Sequence, residues 1–159
     1  MKILVTYFTA SYGNTKKIAE KIASFLGADL KEIEPKDKYS EADLNWMDKN
    51  SRSTLEMRDP SSRPELKSII DVTSYDEIYV GFPVWWYREP SIIDTFLESQ
   101  DFKGKVLVPF ATSGSSSIGK ETCNNFRHLA PGSIVKEGRV IKMNESDEKI
   151  SSWAKEIIK

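Results

Sequence analysis

Close to the N-terminus a near-continuous apolar run, Ile3-Leu4-Val5-Thr6-Tyr7-Phe8, leads through a short hydroxyl-rich loop into an amphipathic helix. A run of this kind lacks the in-out alternation of a half-exposed strand and reads as a strand buried on both faces of a parallel sheet. Beyond the loop, Ile18, Ala19, Ile22, Ala23 and Leu26 recur at the spacing of one helical face. A buried strand that turns into a helix this way aims free backbone N–H groups at one point, where the helix dipole also favours an anion. The loop itself, Ala10-Ser11-Tyr12-Gly13-Asn14-Thr15, has too few glycines for a dinucleotide fingerprint. It also lacks the Gly-Lys-Ser/Thr ending of a nucleoside-triphosphate loop. Thr9, Ser11, Asn14 and Thr15 offer neutral donors, a set suited to a phosphate monoester. The plainer reading is a strand-to-helix turn capped by Ser11 or Asn14.

Strand-like and helix-like stretches alternate from end to end. Residues 28–34 alternate as an edge strand closed by Pro35; residues 78–82 and 106–110 read as two more buried strands. Between them, residues 91–99 carry Ile92, Ile93, Phe96 and Leu97 on one helical face, with Pro90 in the first turn. Residues 118–129 predict another helix, and Ile134-Val135 with Val140-Ile141 a short final strand region. Ile150, Trp153, Ala154, Ile157 and Ile158 predict a closing amphipathic helix. Such alternation implies an α/β fold, a doubly wound parallel sheet between two helical layers, with residues 1–159 as a single domain. Residues 36–76 are rich in charge and hold Tyr39, Leu44, Trp46, Met47, Leu55 and Met57. They read as a crossover helix plus a long surface connection, or as a flap beside a ligand, since connections this long are uncommon unless functional.

Composition excludes several classes of function. The chain carries 23 basic and 24 acidic residues, a net charge of −1, and no basic stripe, which argues against a nucleic-acid surface. One cysteine and one histidine preclude an internal disulfide and make a Cys/His zinc site implausible. No apolar run approaches the ~20 residues that span a bilayer, and no leader-like segment precedes the first strand. The expectation is a soluble cytoplasmic protein.

In an open parallel sheet, ligands bind outside the carboxyl ends of the strands, where strand order reverses. That points to the loops after the first, third and fourth strands. The loop after the third, Pro83-Val84-Trp85-Trp86-Tyr87-Arg88-Glu89-Pro90, is aromatic. The loop after the fourth, Ala111-Thr112-Ser113-Gly114-Ser115-Ser116-Ser117-Ile118-Gly119, is a run of small hydroxyl residues with two glycines. Flat aromatic surface with flexible backbone donors is what a tricyclic flavin ring requires. Two adjacent tryptophans in extended backbone point opposite ways, so Trp86 is expected to stack and Trp85 to pack inward. Arg88 and Glu89 read as a solvated rim, with Arg88 a candidate for meeting an anionic substrate. Lys16 and Lys17 read as helix surface, His128 as a charge late in a helix, and Cys123 as a small helix residue.

From Lys2 to about Val140 the chain resembles the short-chain flavodoxin-like family. The resemblance is carried most specifically by Arg63-Pro64-Glu65-Leu66-Lys67 and by Tyr75-Asp76-Glu77-Ile78-Tyr79-Val80-Gly81-Phe82-Pro83-Val84-Trp85-Trp86. Thr95-Phe96-Leu97-Glu98 and Phe102-Lys103-Gly104-Lys105 continue it. The resemblance implies a five-stranded sheet of order 2-1-3-4-5, one non-covalent FMN and redox chemistry. By position, Ser11, Tyr12, Gly13, Asn14 and Thr15, with Thr9 beside them, hold the phosphate. Pro83, Val84, Trp85, Trp86 and Tyr87 flank the ring, and Thr112, Ser113, Gly114, Ser117 and Gly119 wrap its polar end. Two residues depart from the pattern. Tyr12 stands where most relatives carry Ser or Thr, as in the flavodoxin-like quinone reductases first described as tryptophan-repressor-binding proteins. Tyr87 stands where relatives often carry glycine, which disfavours a backbone flip to positive φ near flavin N5.

The expected function is NAD(P)H-dependent two-electron reduction of a small acceptor such as a quinone, the flavin carrying the chemistry. The alternative is an electron carrier between redox protein partners. Such carriers are strongly acidic as a family, and a net charge of −1 weakens that reading. Tryptophans beside a flavin also suggest a homodimer interface.

Overall fold

The apolar runs become the inner strands of one parallel sheet. In the computed structural model these are β1 (Ile3–Tyr7), β3 (Glu77–Pro83) and β4 (Val106–Thr112). The structure describes every residue except Ser11, Tyr12, Trp86, Tyr87, residues 113–117 and Gly119, and of Lys120 and Glu121 the backbone only. The strand β2 (Asp29–Glu32) follows α1 (Asn14–Leu26) and lies at one edge with all four residues exposed. Strand order is β2-β1-β3-β4-β5, every pairing parallel, so the order expected from the resemblance is the order of the fold.

The fifth position is split into β5 (Ile134–Val135) and β6 (Arg139–Ile141), both parallel to β4. The break lies opposite Pro109, whose ring carries no N–H for a ladder bond. Gly138 backs onto it: a Cβ there would come within 2.7 Å of the Pro109 carbonyl oxygen.

Side chains alternate between the two faces of the sheet. Val5, Tyr7, Tyr79, Val108 and Phe110 pack with Ile18 and Ile22 of α1 and Ile150 and Ala154 of α5 (Asp147–Glu156). Leu4, Ile78, Val80, Phe82 and Leu107 pack with α3 (Ser91–Glu98) and with Phe126 of α4 (Lys120–Leu129). The result is the three-layer arrangement. Each fully buried Ile or Leu gains about 1.5–3 kcal/mol from leaving water, enough for two such residues on α1 to fix which face it turns inward. Gly81 is dictated by a neighbour rather than a turn: a Cβ would lie 2.3 Å from the Phe110 ring of the adjacent strand.

Residues 36–76 hold α2 (Arg52–Arg58), capped by the Ser51 side chain, which accepts from the Thr54 N–H. At seven residues it is short for a crossover helix, and the remainder of the segment is connection, bridged to the end of β2 at Pro35 and Leu66.

Candidate functional site

The carboxyl ends of β1, β3 and β4 are drawn together by specific bonds. Phe8 N–H donates to the Gly81 carbonyl at 2.9 Å, and Val84 N–H donates to the Thr112 carbonyl at 3.3 Å. The hydroxyls of Thr15 and Thr112, both buried, lie 2.7 Å apart and tie the first turn of α1 to the end of β4. One O–H of that pair makes the bond; the other remains to be donated. The described ends of the three loops selected from sequence therefore come together, over one end of the sheet.

Around the first loop the structure leaves donors free. Gly13 is the N-cap of α1 with φ 71°, and no side chain among the described residues caps the helix. Asn14, read above as an alternative cap, is instead the first helical residue and is exposed. An uncapped helix start presents its first-turn N–H groups to any anion in front of it. Thr9 lies alongside with its hydroxyl buried and without a partner among the described residues, which costs about 1–3 kcal/mol when nothing meets it. Thr9, Ala10 and Gly13 line a cavity of about 230 Å³ with Phe8, Tyr39 and Leu44. Residues 36–76 thus reach the first loop, in the position of the flap reading.

Pro83 ends β3, paired in register with Thr112, and Val84 packs on the core beneath. Trp85 is half-buried and edge-on to Phe8 and Tyr39, with ring centroids 5.7 and 5.4 Å away; Phe8 and Tyr39 stand 5.6 Å apart and close the triangle. Trp85 faces inward, as expected. Ser11, Tyr12, Trp86, Tyr87, Ser113, Gly114, Ser117 and Gly119 lie outside the described residues. Tyr39 is the site neighbour that sequence reasoning did not single out. Its hydroxyl donates to Glu56 Oε1 at 2.5 Å, and the Arg52 guanidinium sits 3.8 Å over its ring. Burial and the Glu56 carboxylate both push its phenol far above the usual range.

Arg88 and Glu89 correct the sequence reading. They are buried, at 4% and 0% exposure, and form no solvated rim. The cause is a set of partners distant in sequence: Arg88 bonds the carbonyls of Glu56 and Met57 and pairs with Asp94, and Glu89 accepts from Asn125. The remaining residues fall as expected. Lys16 and Lys17 are exposed on α1, His128 is exposed in the last turn of α4, and Cys123 is buried with its thiol directed at the Lys136 carbonyl. Among the described residues no His/Cys/Asp/Glu cluster could hold a metal ion, and no helix is long and apolar enough to cross a membrane.

The flavodoxin family model matches residues 2–157 of the chain. Among solved structures, a candidate flavoprotein from Bacteroides eggerthii is 43% identical with a TM-score of 0.91, covering 99% of this chain and 98% of that one. A flavoprotein from Lactobacillus acidophilus, solved in complex with FMN, is 28% identical with a TM-score of 0.67, covering 96% of this chain and 98% of that one. Flavodoxin 1 of Escherichia coli is 27% identical over 128 residues, which is 78% of this chain; the match spans 57% of that relative's length.

Proposed function

The chain belongs to the flavodoxin family, and from that premise we propose that it binds FMN at the junction of the three loops and passes electron pairs from NAD(P)H to a small acceptor such as a quinone. The observation that carries the cofactor is the pairing of a helix start that no described side chain caps with the buried hydroxyl of Thr9, which has no partner among the described residues. A phosphate monoester with a polyol tail satisfies both: the anion takes the N–H groups at Asn14 and Thr15, and the tail meets Thr9. Thr112 and the serines after it supply donors for the polar edge of the ring, and residues 83–87 cover its apolar faces, with Trp86 stacked. When bound, FMN supplies the redox chemistry. The protein binds and orients it and excludes water, and no side chain is required as general acid or base.

The two-electron enzyme reading rests on charge. With 23 basic against 24 acidic residues, the molecule lacks the large single-sign field that steers carriers onto protein partners. The carrier reading is favoured by the likeness to Flavodoxin 1 of Escherichia coli. Turnover separates them. Purified protein with bound FMN should oxidise NADH or NADPH in the presence of a quinone and no second protein. Absence of turnover, with reduction only through a partner reductase, would establish the carrier.

A further inference from the structure

Arg88 ends the loop that leaves β3 and is bridged back to Trp85 in an isolated antiparallel pair. Its guanidinium is 4% exposed and joins three elements. One terminal nitrogen donates to the carbonyls of Glu56 (3.0 Å) and Met57 (3.3 Å) in the last turn of α2, and to Ser91 Oγ (3.3 Å) at the start of α3. The other donates to the Glu89 carbonyl (3.1 Å) and lies 3.4 Å from Asp94 Oδ2. The last carbonyls of a helix have no partner within it, so Arg88 closes the C-terminal end of α2, which belongs to the long connection. Glu89 extends the joint to α4 by accepting from Asn125 Nδ2 at 3.0 Å.

We propose that Arg88 is a positioning residue for the FMN site: by clasping the end of α2 to the start of α3, it fixes where residues 83–85 stand over the carboxyl ends of the strands. This rests on the reading of that site as an FMN site. A lysine cannot replace it, because a single ammonium lacks the planar fork that spans two carbonyls and a carboxyl at once.

The clasp carries a proton as well. Asp94 faces Arg88 and Glu89 within the cluster. Arg63 approaches it at 3.9 Å from the connection and is itself paired with Glu98. Asn125 and His128 of α4 line the same cavity, of about 390 Å³. Burial, then the hydrogen bond and repulsion from Glu89, outweigh the two guanidiniums and hold the Asp94 carboxyl well above its usual range. Asp94 therefore keeps its proton to higher pH than an exposed carboxyl does. Deprotonation in alkali adds a second buried anion that competes with the α2 carbonyls for Arg88.

The test measures FMN affinity by quenching of flavin fluorescence, beside thermal melts of the same samples. Arg88→Met and Arg88→Lys should each weaken FMN binding about tenfold or more, as expected when bonds to a charged group are lost. Asp94→Asn should remove the loss of affinity expected of the wild type in alkali. In the wild type, hydrogen exchange at the last turn of α2 should slow when FMN is added. Wild-type affinity in a folded Arg88 variant, or an Asp94→Asn loss at neutral pH equal to that of Arg88→Met, overturns the proposal. If neither Arg88 variant folds, unchanged exchange at α2 overturns it. Failure of the wild type to bind FMN would instead overturn the reading of the site, and this proposal with it.

Discussion

Replacing Thr9 by valine should move apoprotein stability and FMN affinity in opposite directions. The Thr9 hydroxyl is buried and has no partner among the described residues, which costs about 1–3 kcal/mol when nothing meets it. Valine has nearly the same shape and removes the orphaned group. A domain of this size shifts its melting temperature by roughly 2–4 °C per kcal/mol, so the apoprotein should melt roughly 2–12 °C higher. If FMN meets the same hydroxyl as proposed, the hydrogen bond is worth about 0.5–1.5 kcal/mol to a neutral group, or ~1.5–3 kcal/mol to phosphate. At tenfold per 1.4 kcal/mol, Thr9→Val should weaken FMN by roughly 2- to 150-fold. Circular-dichroism melts of apoprotein and fluorescence titration with FMN and riboflavin give both numbers. Loss for both ligands places Thr9 on the ribityl chain; loss for FMN alone places it on the phosphate. An apoprotein that melts lower, or an unchanged FMN affinity, would refute the reasoning.

Gly81→Ala should lower the melting temperature by several degrees, because its Cβ would stand 2.3 Å from the Phe110 ring and overpacking costs about 1–3 kcal/mol; a melt no lower than wild type would sink the packing account. Trp85→Ala should destabilise the apoprotein through its contacts with Phe8 and Tyr39. Trp86→Ala should leave the melt near wild type and weaken FMN by roughly 5- to 150-fold, and the reverse pattern would assign stacking to Trp85. Because the folded state holds a proton on Asp94 that the unfolded chain releases, the stabilisation is complete below about pH 4, declines as pH rises and is lost through about pH 9. Urea midpoints across that window should fall more steeply in the wild type than in Asp94→Asn, and parallel curves would contradict a raised Asp94.

The inner strands were legible because their burial is two-sided. Residues 3–8, 78–82 and 106–110 have almost no polar positions, and no other setting in a domain this size accepts them. The edge strand was legible for the opposite reason, since β2 exposes all four residues. The loops that meet followed from strand order, and the Thr15–Thr112 contact joins two of them. Arg88 and Glu89 were not legible, because a charged pair beside a proline resembles a solvated turn. What buries Arg88 is the end of α2, about thirty positions earlier, and no periodicity in the sequence links the two. Tyr39 escaped notice in the same way. Its partners Glu56, Arg52, Phe8 and Trp85 come from three separate segments folded against each other.

Where the chain breaks the rules that otherwise govern it says something about the site. Buried polar atoms without partners are costly and few in native proteins. Here the described residues leave Glu77 near the amino end of β3, and Thr9 and the Arg88 Nε around its carboxyl end. The left-handed Gly13 and the uncapped start of α1 lie at that same end. Selection for stability alone would put valine at Thr9 and apolar residues at Glu89 and Asp94, since replacing buried charges by well-packed apolar groups is often neutral or stabilising. Violations of local rules gather where function demands them. Thr9 is the sharpest case, because the change that should most stabilise the empty protein is the one that should most impair it when FMN is bound.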